Sequence, residues 1–215
     1  MVENVVHLIR HGESIANTEG KYQGQTYDTT LSELGKNQAD SLGDRFKDEK
    51  ITRIVTSPFT RTRQTAEAVA KWHDGLEVEI QPEIIETNHG DWEGENVATI
   101  KEKWPTEFEM WQAAPSHVQF PNGDAFEDTR TRVLTWWKEF LPTAQGATIV
   151  IAHDNILRVL LVDALGMDPD SMWRFELQPA AITTVKVTNG KVNVGTINDT
   201  NHLEGLQANL ANHAL

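Results

Sequence analysis

The stretch VVHLIRHGES, residues 5–14, decides the fold of this chain. Its first five residues are mostly apolar, and the run stops abruptly at Arg10-His11-Gly12. That pattern is typical of a buried strand that feeds a polar loop. Ligands of open α/β sheets bind beyond the carboxyl ends of the strands. We therefore expect Arg10 and His11 to lie at a functional edge of a sheet.

Strand-like and helix-like patterns alternate along the rest of the chain. Further strands are predicted at residues 51–55, 76–80, 148–152, 182–187 and 192–197, and helices at 32–46, 60–72, 124–140 and 156–165. Thr188-Asn189-Gly190 is typical of a hairpin turn, and leucines 203, 206 and 210 have helical spacing. The alternation predicts an α/β fold, a three-layer sandwich with a mainly parallel central sheet and helices on both faces.

The middle of the chain differs in amino-acid composition from the rest. Five of the seven tryptophans lie between residues 92 and 137, and prolines at 105, 115 and 121 break the segment into short pieces. We interpret residues 92–123 as a capping insertion within a single domain that spans residues 1–215. Large aromatic side chains at such spacing are more often core than ligand contacts.

Composition excludes several classes of function. The 215 residues include 19 Lys and Arg against 32 Asp and Glu, a formal charge of −13. A protein that binds nucleic acids in general needs a basic surface, and so does a protein that attaches to anionic lipids. The acidic charge therefore argues against both functions. The chain has no cysteine, which excludes disulfides and thiol chemistry. No targeting segment or membrane span is predicted, so the expected location is cytoplasmic.

Three other chemistries fit the sequence poorly. Residues 12–16 nearly match a serine nucleophile elbow, but too few strands precede them. His7 and His11 are four residues apart, which on a strand separates their side chains by roughly 13 Å and disfavours zinc. We expect His7 to be a core residue. No phosphate-binding glycine loop is present, so a nucleotide cofactor is not predicted. With zinc disfavoured, no metal is predicted either.

The remaining constellation favours phosphoryl chemistry. Polar residues that follow separate predicted strands should converge at one sheet edge: Arg10, His11, Arg61, Glu86 and His153. Arginine pairs are suited to bidentate recognition of phosphate. A neutral histidine can attack phosphorus, a second can stabilise the transition state, and a carboxyl group can protonate the leaving oxygen.

These residues resemble the signatures of the histidine phosphatase superfamily, also called the phosphoglycerate mutase-like family. Its R-H-G-E/Q-[ST] signature and the Asn that follows are matched at residues 10–17. Residues 24–39 are similar to its G-x-x-x-D-x-x-L-[ST]-x-x-G-x-x-Q-A continuation, and residues 57–66 to S-x-L-x-R-A-x-Q-T-A, with Thr62 where Ala is usual. Residues 84–94 and 150–153 resemble its L-x-E…G-x-W-E-G and second-histidine segments.

The resemblance implies a role for each matching residue. His11 would be the phosphorylated nucleophile, Arg10, Arg61 and His153 would complete the phosphate pocket, and Glu86 would be the proton donor. Asn17 and Gly24 would line the pocket. The substrate implied is a small phosphorylated metabolite, with neither metal nor cofactor.

Two departures favour a phosphatase over a mutase. The mutases follow the acidic Glu with Arg and carry further arginines in the insertion, whereas here Thr87 follows Glu86 and residues 108–117 contain no Arg or Lys. Asp154 stands where Gly is usual after His153, and a carboxylate there would repel a second anionic group of a substrate unless it points away. A phosphoglycerate mutase and a silent phosphoester-binding protein remain the alternatives.

Within the phosphatases, two segments look like metal-independent phosphoserine phosphatases. They contain His89, three residues after the acid, and His202 in the C-terminal tail. The resemblance implies that these histidines recognise the serine part of a substrate and allows a homodimer to which the tail contributes. Lys101 or Lys103 could instead contact a carboxylate, and broad specificity is equally open.

Overall fold

The structure, a computed structural model, describes residues 4–188 and 191–213 of the chain. The Asn189-Gly190 part of the predicted hairpin turn lies outside these residues. The strands are β1 (Asn4–Arg10), β2 (Ile51–Thr56), β3 (Val78–Ile80), β4 (Ala147–Ala152), β5 (Ile182–Thr188) and β6 (Lys191–Asp199). The helices are α1 (Ile15–Thr18), α2 (Glu33–Phe46), α3 (Thr60–Ala70), α4 (Val97–Lys103), α5 (Pro105–Ala113), α6 (Phe126–Phe140) and α7 (Asp154–Ala164).

The strands form one six-stranded sheet in the order β3-β2-β4-β1-β5-β6. The pairs β2/β3, β2/β4 and β1/β4 are parallel, and β1/β5 and β5/β6 are antiparallel. The predicted α/β fold with a mainly parallel sheet is confirmed. Because β1, β2 and β4 run in parallel, the residues that follow them meet at one sheet edge.

The sheet is covered on both faces because its central strands alternate their apolar side chains between two cores. Along β4, Ile149 and Ile151 pack with residues of α2 and α3, whereas Val150 and Ala152 pack with residues of α6 and α7. A strand places successive side chains on opposite faces, so a continuous apolar run indicates burial on both sides. His7 is buried against Phe46 and bonded to Thr184, which confirms its expected place in the core.

The loop after β1 packs tightly on the start of α2. A Cβ atom on Gly12 would lie 2.6 Å from the carbonyl oxygen of Gly35, and one on Gly35 would overlap the backbone of Glu13. Only glycine allows two backbones to approach so closely. The Ser32 hydroxyl accepts a hydrogen bond from the Gly35 amide and caps the helix. This contact fixes the path of the chain beyond His11.

Two local predictions differ from the structure. The tail forms short 3₁₀ turns at Asn201–Leu203 and Leu210–Asn212. The α-helix that the leucine spacing suggests for the tail is therefore wrong. Helix α7 begins at Asp154, two residues before the predicted start at residue 156, so Asp154 belongs to the first helical turn. Within residues 4–188 and 191–213, no helix is long and apolar enough to cross a membrane.

Candidate active site

A small pocket lies at the sheet edge where β1, β2 and β4 end. Its wall is formed by Arg10, His11, Asn17, Lys21, Gln23, Arg61, Glu86 and Asp154. His153 lies directly beside it, because its ring centroid is 5.4 Å from that of His11. The structure therefore brings together the five residues predicted to carry the chemistry, although they span more than half of the chain.

His11 is held with one ring nitrogen free. Its Nδ1 lies 2.7 Å from the carbonyl oxygen of Gly12, and a carbonyl can only accept, so Nδ1 carries the proton. Burial lowers the pKa of His11 well below its usual value, and Arg61 and Arg10 lower it further. The neutral ring therefore keeps a lone pair on Nε2, the nitrogen atom that can attack phosphorus.

Two buried arginines supply the positive charge of the pocket. Arg10 donates from Nη1 to the carbonyl oxygen of Leu177 at 2.7 Å. Arg61 donates from Nη1 to Asp28 at 2.9 Å and from Nη2 to the carbonyl oxygen of Gly24 at 3.4 Å. Each guanidinium group is thus held on one edge by the protein, which leaves other N–H groups for a ligand.

His153 is held by a serine from the end of β2. Its Nε2 lies 2.8 Å from the hydroxyl oxygen of Ser57. Burial lowers the pKa of His153 well below its usual value, and Arg61 and His11 add to the effect. Three nitrogen atoms around the pocket are buried without a hydrogen-bond partner among the described residues: Nδ1 of His153 and Nε of Arg10 and Arg61. Buried polar atoms are rarely left unpaired, so this group indicates a site for an oxygen-rich anion.

Glu86 supplies a carboxyl group whose pKa suits proton transfer near neutrality. Burial raises its pKa to about 7, against the lowering effects of the Thr87 amide hydrogen bond and of Arg61. Arg132 of α6 donates from Nη1 to the carbonyl oxygens of Glu83 and Ile85 at 2.6 and 3.0 Å, which fixes the segment before Glu86. A carboxyl group of this kind can be proton donor in one step and base in the next.

Asn17 and Gly24 both belong to the site but occupy different places. Asn17 lines the pocket and is tied through Oδ1 to the Ser14 amide and hydroxyl groups, in a capping box at the start of α1. Gly24 does not line the pocket. Its carbonyl oxygen accepts from Arg61, and a Cβ atom at this position would overlap the carboxylate of Glu93.

The predicted substrate-binding histidines lie away from the pocket wall. His89 is 2% exposed, and its ring is enclosed by Phe120, Trp111 and Tyr22. It contacts the carbonyl oxygen of Gln23 through Nδ1 and the Asn155 side chain through Nε2, so both ring nitrogens are occupied within the protein.

His202 is likewise occupied. Its Nε2 donates to the carbonyl oxygen of Ala180 at 3.1 Å, and the Ala180 amide in turn donates to the carbonyl oxygens of Arg10 and His11. His202 therefore supports the catalytic loop from behind. Lys103 pairs with Glu95 at 2.6 Å, and Lys101 lies over the ring of Phe108. Neither of these lysines lines the pocket.

Sequence reasoning missed two residues of the pocket wall. Lys21 and Gln23 lie between the signature asparagine and the signature glycine, a stretch with no motif of its own. Their loop is held by Glu93, whose carboxylate accepts from the amides of residues 25, 26 and 27. The available signal in the sequence was that both residues are polar and lie close to the signature residues. In the described part of the chain, no three His, Cys, Asp or Glu side chains are grouped to hold a metal ion.

Comparisons with known proteins identify the family to which the chain is similar. The profile of the histidine phosphatase superfamily (branch 1) matches residues 6–200. Phosphoserine phosphatase 1 of Hydrogenobacter thermophilus is 33% identical over 91% of this chain and 92% of its own. A protein of Erwinia tasmaniensis named probable phosphoglycerate mutase GpmB is 30% identical over 93% and 94%. The crystal structure of the alpha-ribazole phosphatase from Shigella flexneri is 26% identical, with a TM-score of 0.82 over 91% of this chain and 96% of that chain.

Proposed function

This chain belongs to the histidine phosphatase superfamily, and on that premise we propose that it hydrolyses a small phosphomonoester through a phosphohistidine formed on His11, without a metal ion. The observation that carries the proposal is the convergence of a neutral His11, two buried arginines and a carboxyl group with a pKa of about 7 in one pocket. Phosphoryl transfer requires a nucleophile, cationic groups that bind the phosphate oxygens, and a proton donor for the leaving group.

In the first step, Nε2 of His11 attacks phosphorus and the bond to the leaving oxygen breaks. Glu86 donates its proton to that oxygen, so the product leaves as an alcohol. The free N–H groups of Arg10 and Arg61 bind the non-bridging oxygens. With the Ser57 hydroxyl donating to Nε2 of His153, Nδ1 of His153 carries a proton for the same oxygens.

In the second step, water attacks the phosphohistidine. The carboxylate of Glu86 takes the proton of that water, the nitrogen–phosphorus bond breaks, and the electron pair returns to Nε2 of His11. Inorganic phosphate leaves, and both His11 and Glu86 recover their starting protonation states. The cycle therefore needs no further reactant.

Hydrolysis is favoured over mutase activity by the charges around the site. Thr87 follows the acid, and residues 108–117 bring no Arg or Lys to hold the second anion of a phosphoglycerate. A product held less firmly leaves before it can take back the phosphoryl group. The mutase alternative is tested directly by measuring interconversion of 2- and 3-phosphoglycerate.

The proposal is tested by phosphate release from a metabolite panel in the presence of EDTA. The relative named phosphoserine phosphatase 1 makes phosphoserine the first substrate to include, with sugar phosphates and phosphoglycerates beside it. We expect His11→Ala to lower kcat by about 10³-fold or more. The matched control is His117→Ala, an exposed histidine of the cap, which should leave kcat unchanged. Full activity of His11→Ala would overturn the proposal, and binding of phosphoesters without any release of phosphate would favour a silent binding protein.

A further inference from the structure

Asp154 places a carboxylate on the wall of the phosphate pocket. It is the first residue of α7, directly after His153, and its side chain is only 5% exposed. One carboxylate oxygen lies 3.2 Å from Nη1 of Arg10. The other accepts a hydrogen bond of 2.5 Å from Nε of Arg158, one helical turn later. Asp154 thus points into the pocket and joins two arginines.

Arg158 holds this carboxylate rigidly. Its Nη1 donates to the carbonyl oxygens of Met172 and Phe175 at 2.8 and 2.6 Å, and its guanidinium group lies over the ring of Trp173. Although burial raises the pKa of Asp154, Arg158 and Arg10 hold it below its usual value. A fixed negative charge is therefore present at neutral pH.

The cations of the pocket wall each have an acidic partner within the protein. Arg10 shares one N–H edge with Asp154, Arg61 is paired with Asp28, and Lys21 lies 2.9 Å from Glu19. The free guanidinium N–H groups suffice for one phosphate. A second anion on the substrate would face the oxygen atoms of the Asp154 carboxylate and would find no unpaired cation on the wall to bind it.

We propose that Asp154 is a specificity-determining residue, a built-in anion that occupies the position of a second substrate anion and restricts the pocket to phosphomonoesters whose leaving group carries no net negative charge. The inference rests on the proposed phosphatase function and names the class of substrate it selects. Sugar phosphates, alkyl phosphates and zwitterionic phosphoamino acids belong to this class. Phosphoglycerates do not.

The test compares two ligands with the same three-carbon skeleton. Glycerol 3-phosphate has an uncharged leaving group, and 3-phosphoglycerate carries a carboxylate. Each compound is tested as an inhibitor of p-nitrophenyl phosphate hydrolysis. This measurement gives an inhibition constant whether or not the enzyme hydrolyses the compound itself. The ratio of the two constants is independent of the amount of folded enzyme.

We expect wild-type protein to bind 3-phosphoglycerate at least about tenfold more weakly than glycerol 3-phosphate, and Asp154→Asn to reduce this ratio by about tenfold. Asp154→Asn/Arg158→Gln avoids leaving Arg158 buried without its partner and should change the ratio in the same direction. Asp163→Asn, an exposed acid on the same helix, is the matched control and should leave the ratio unchanged.

The same ratio in wild type, in Asp154→Asn and in the double variant would overturn the inference and leave the phosphatase function standing. Failure of the wild-type protein to hydrolyse p-nitrophenyl phosphate or any ester of the metabolite panel would overturn the phosphatase function, and the inference with it. The two failures are therefore distinguishable.

Discussion

The substitution Glu86→Gln tests the proposed proton donor without removing the other groups of the pocket. Glutamine keeps the size of the side chain but cannot act as an acid, so kcat for an alkyl phosphate such as glycerol 3-phosphate should fall by about 10²- to 10⁴-fold. p-Nitrophenyl phosphate has a leaving group that needs little protonation. Its hydrolysis should fall by less than about tenfold. Glu83→Gln, an exposed acid three residues earlier, is the control.

The pH dependence of the wild-type protein tests the same group. Because burial raises the pKa of Glu86 to about 7, about half of the carboxyl groups are protonated at pH 7 and only about one in a hundred at pH 9. The first step needs the protonated form. We therefore expect kcat/KM for glycerol 3-phosphate to fall about tenfold per pH unit above about pH 8.

Steady-state phosphate release at pH 5 to 9 measures both effects. Glu86→Gln should lose the decline at high pH along with most of its activity, since no titrating acid is left. Equal losses on both substrates would show that Glu86 does not protonate the leaving oxygen. A decline that persists unchanged in Glu86→Gln would show that another group causes it and that Glu86 is not the titrating acid.

Arg132→Gln removes a cation that favours the ionised form of Glu86, so the decline of kcat/KM should move to higher pH, with Arg132→Lys restoring it in part. Gly90 has φ of 56°, and a Cβ atom there would overlap a backbone carbonyl, whereas Gly75 has φ of 77° in open space. Thermal unfolding should show a loss of about 1 kcal/mol for Gly75→Ala and a clearly larger loss for Gly90→Ala. Burial lowers the pKa of His89 to about 4, so the unfolded chain gains its proton first as pH falls below about 6.5. The wild-type Tm should therefore fall more between pH 7.5 and 5 than that of His89→Gln, and equal falls would contradict this.

The convergence of the proposed catalytic residues could be predicted because parallel strands end at a common edge. Arg10 ends β1, and His11 and His153 follow the adjacent parallel strands β1 and β4. Arg61 is the second residue of the helix after β2. An apolar run that stops at a polar cluster shows in the sequence where a strand ends and which residues lie at that end. Glu86 is different, because a 3₁₀ turn at Pro82–Ile84 separates it from β3, so its distance from the strand end is larger than that of the other residues.

The side-chain environments that depend on packing could not be predicted. Three residues after Glu86, His89 has the polarity of a ligand contact, yet Phe120 and Trp111 enclose it. Nothing local to residue 89 indicates which of its neighbours will be aromatic. The pairing of Asp154 with Arg158 follows from helical spacing. Its second contact, with Arg10, arises only because β1 and β4 are neighbours.

The tail shows tertiary contacts overriding local spacing. The leucines at 203, 206 and 210 suit a helix, but the backbone between them bonds to distant side chains. Gln38 donates to the carbonyl oxygen of Leu206, and Gln178 accepts from the amide of Ala208. A regular helix would need those groups for its own hydrogen bonds, so the tail forms short turns instead.

The central claim is that the phosphoryl group passes through His11. The direct measurement is rapid acid-free quenching of the protein during turnover of a ³²P-labelled phosphomonoester, followed by peptide mapping. We expect one acid-labile, base-stable phosphoryl group on His11, formed within the first turnover and absent from His11→Ala. Turnover with no labelled protein, or with label on any other residue, would contradict it.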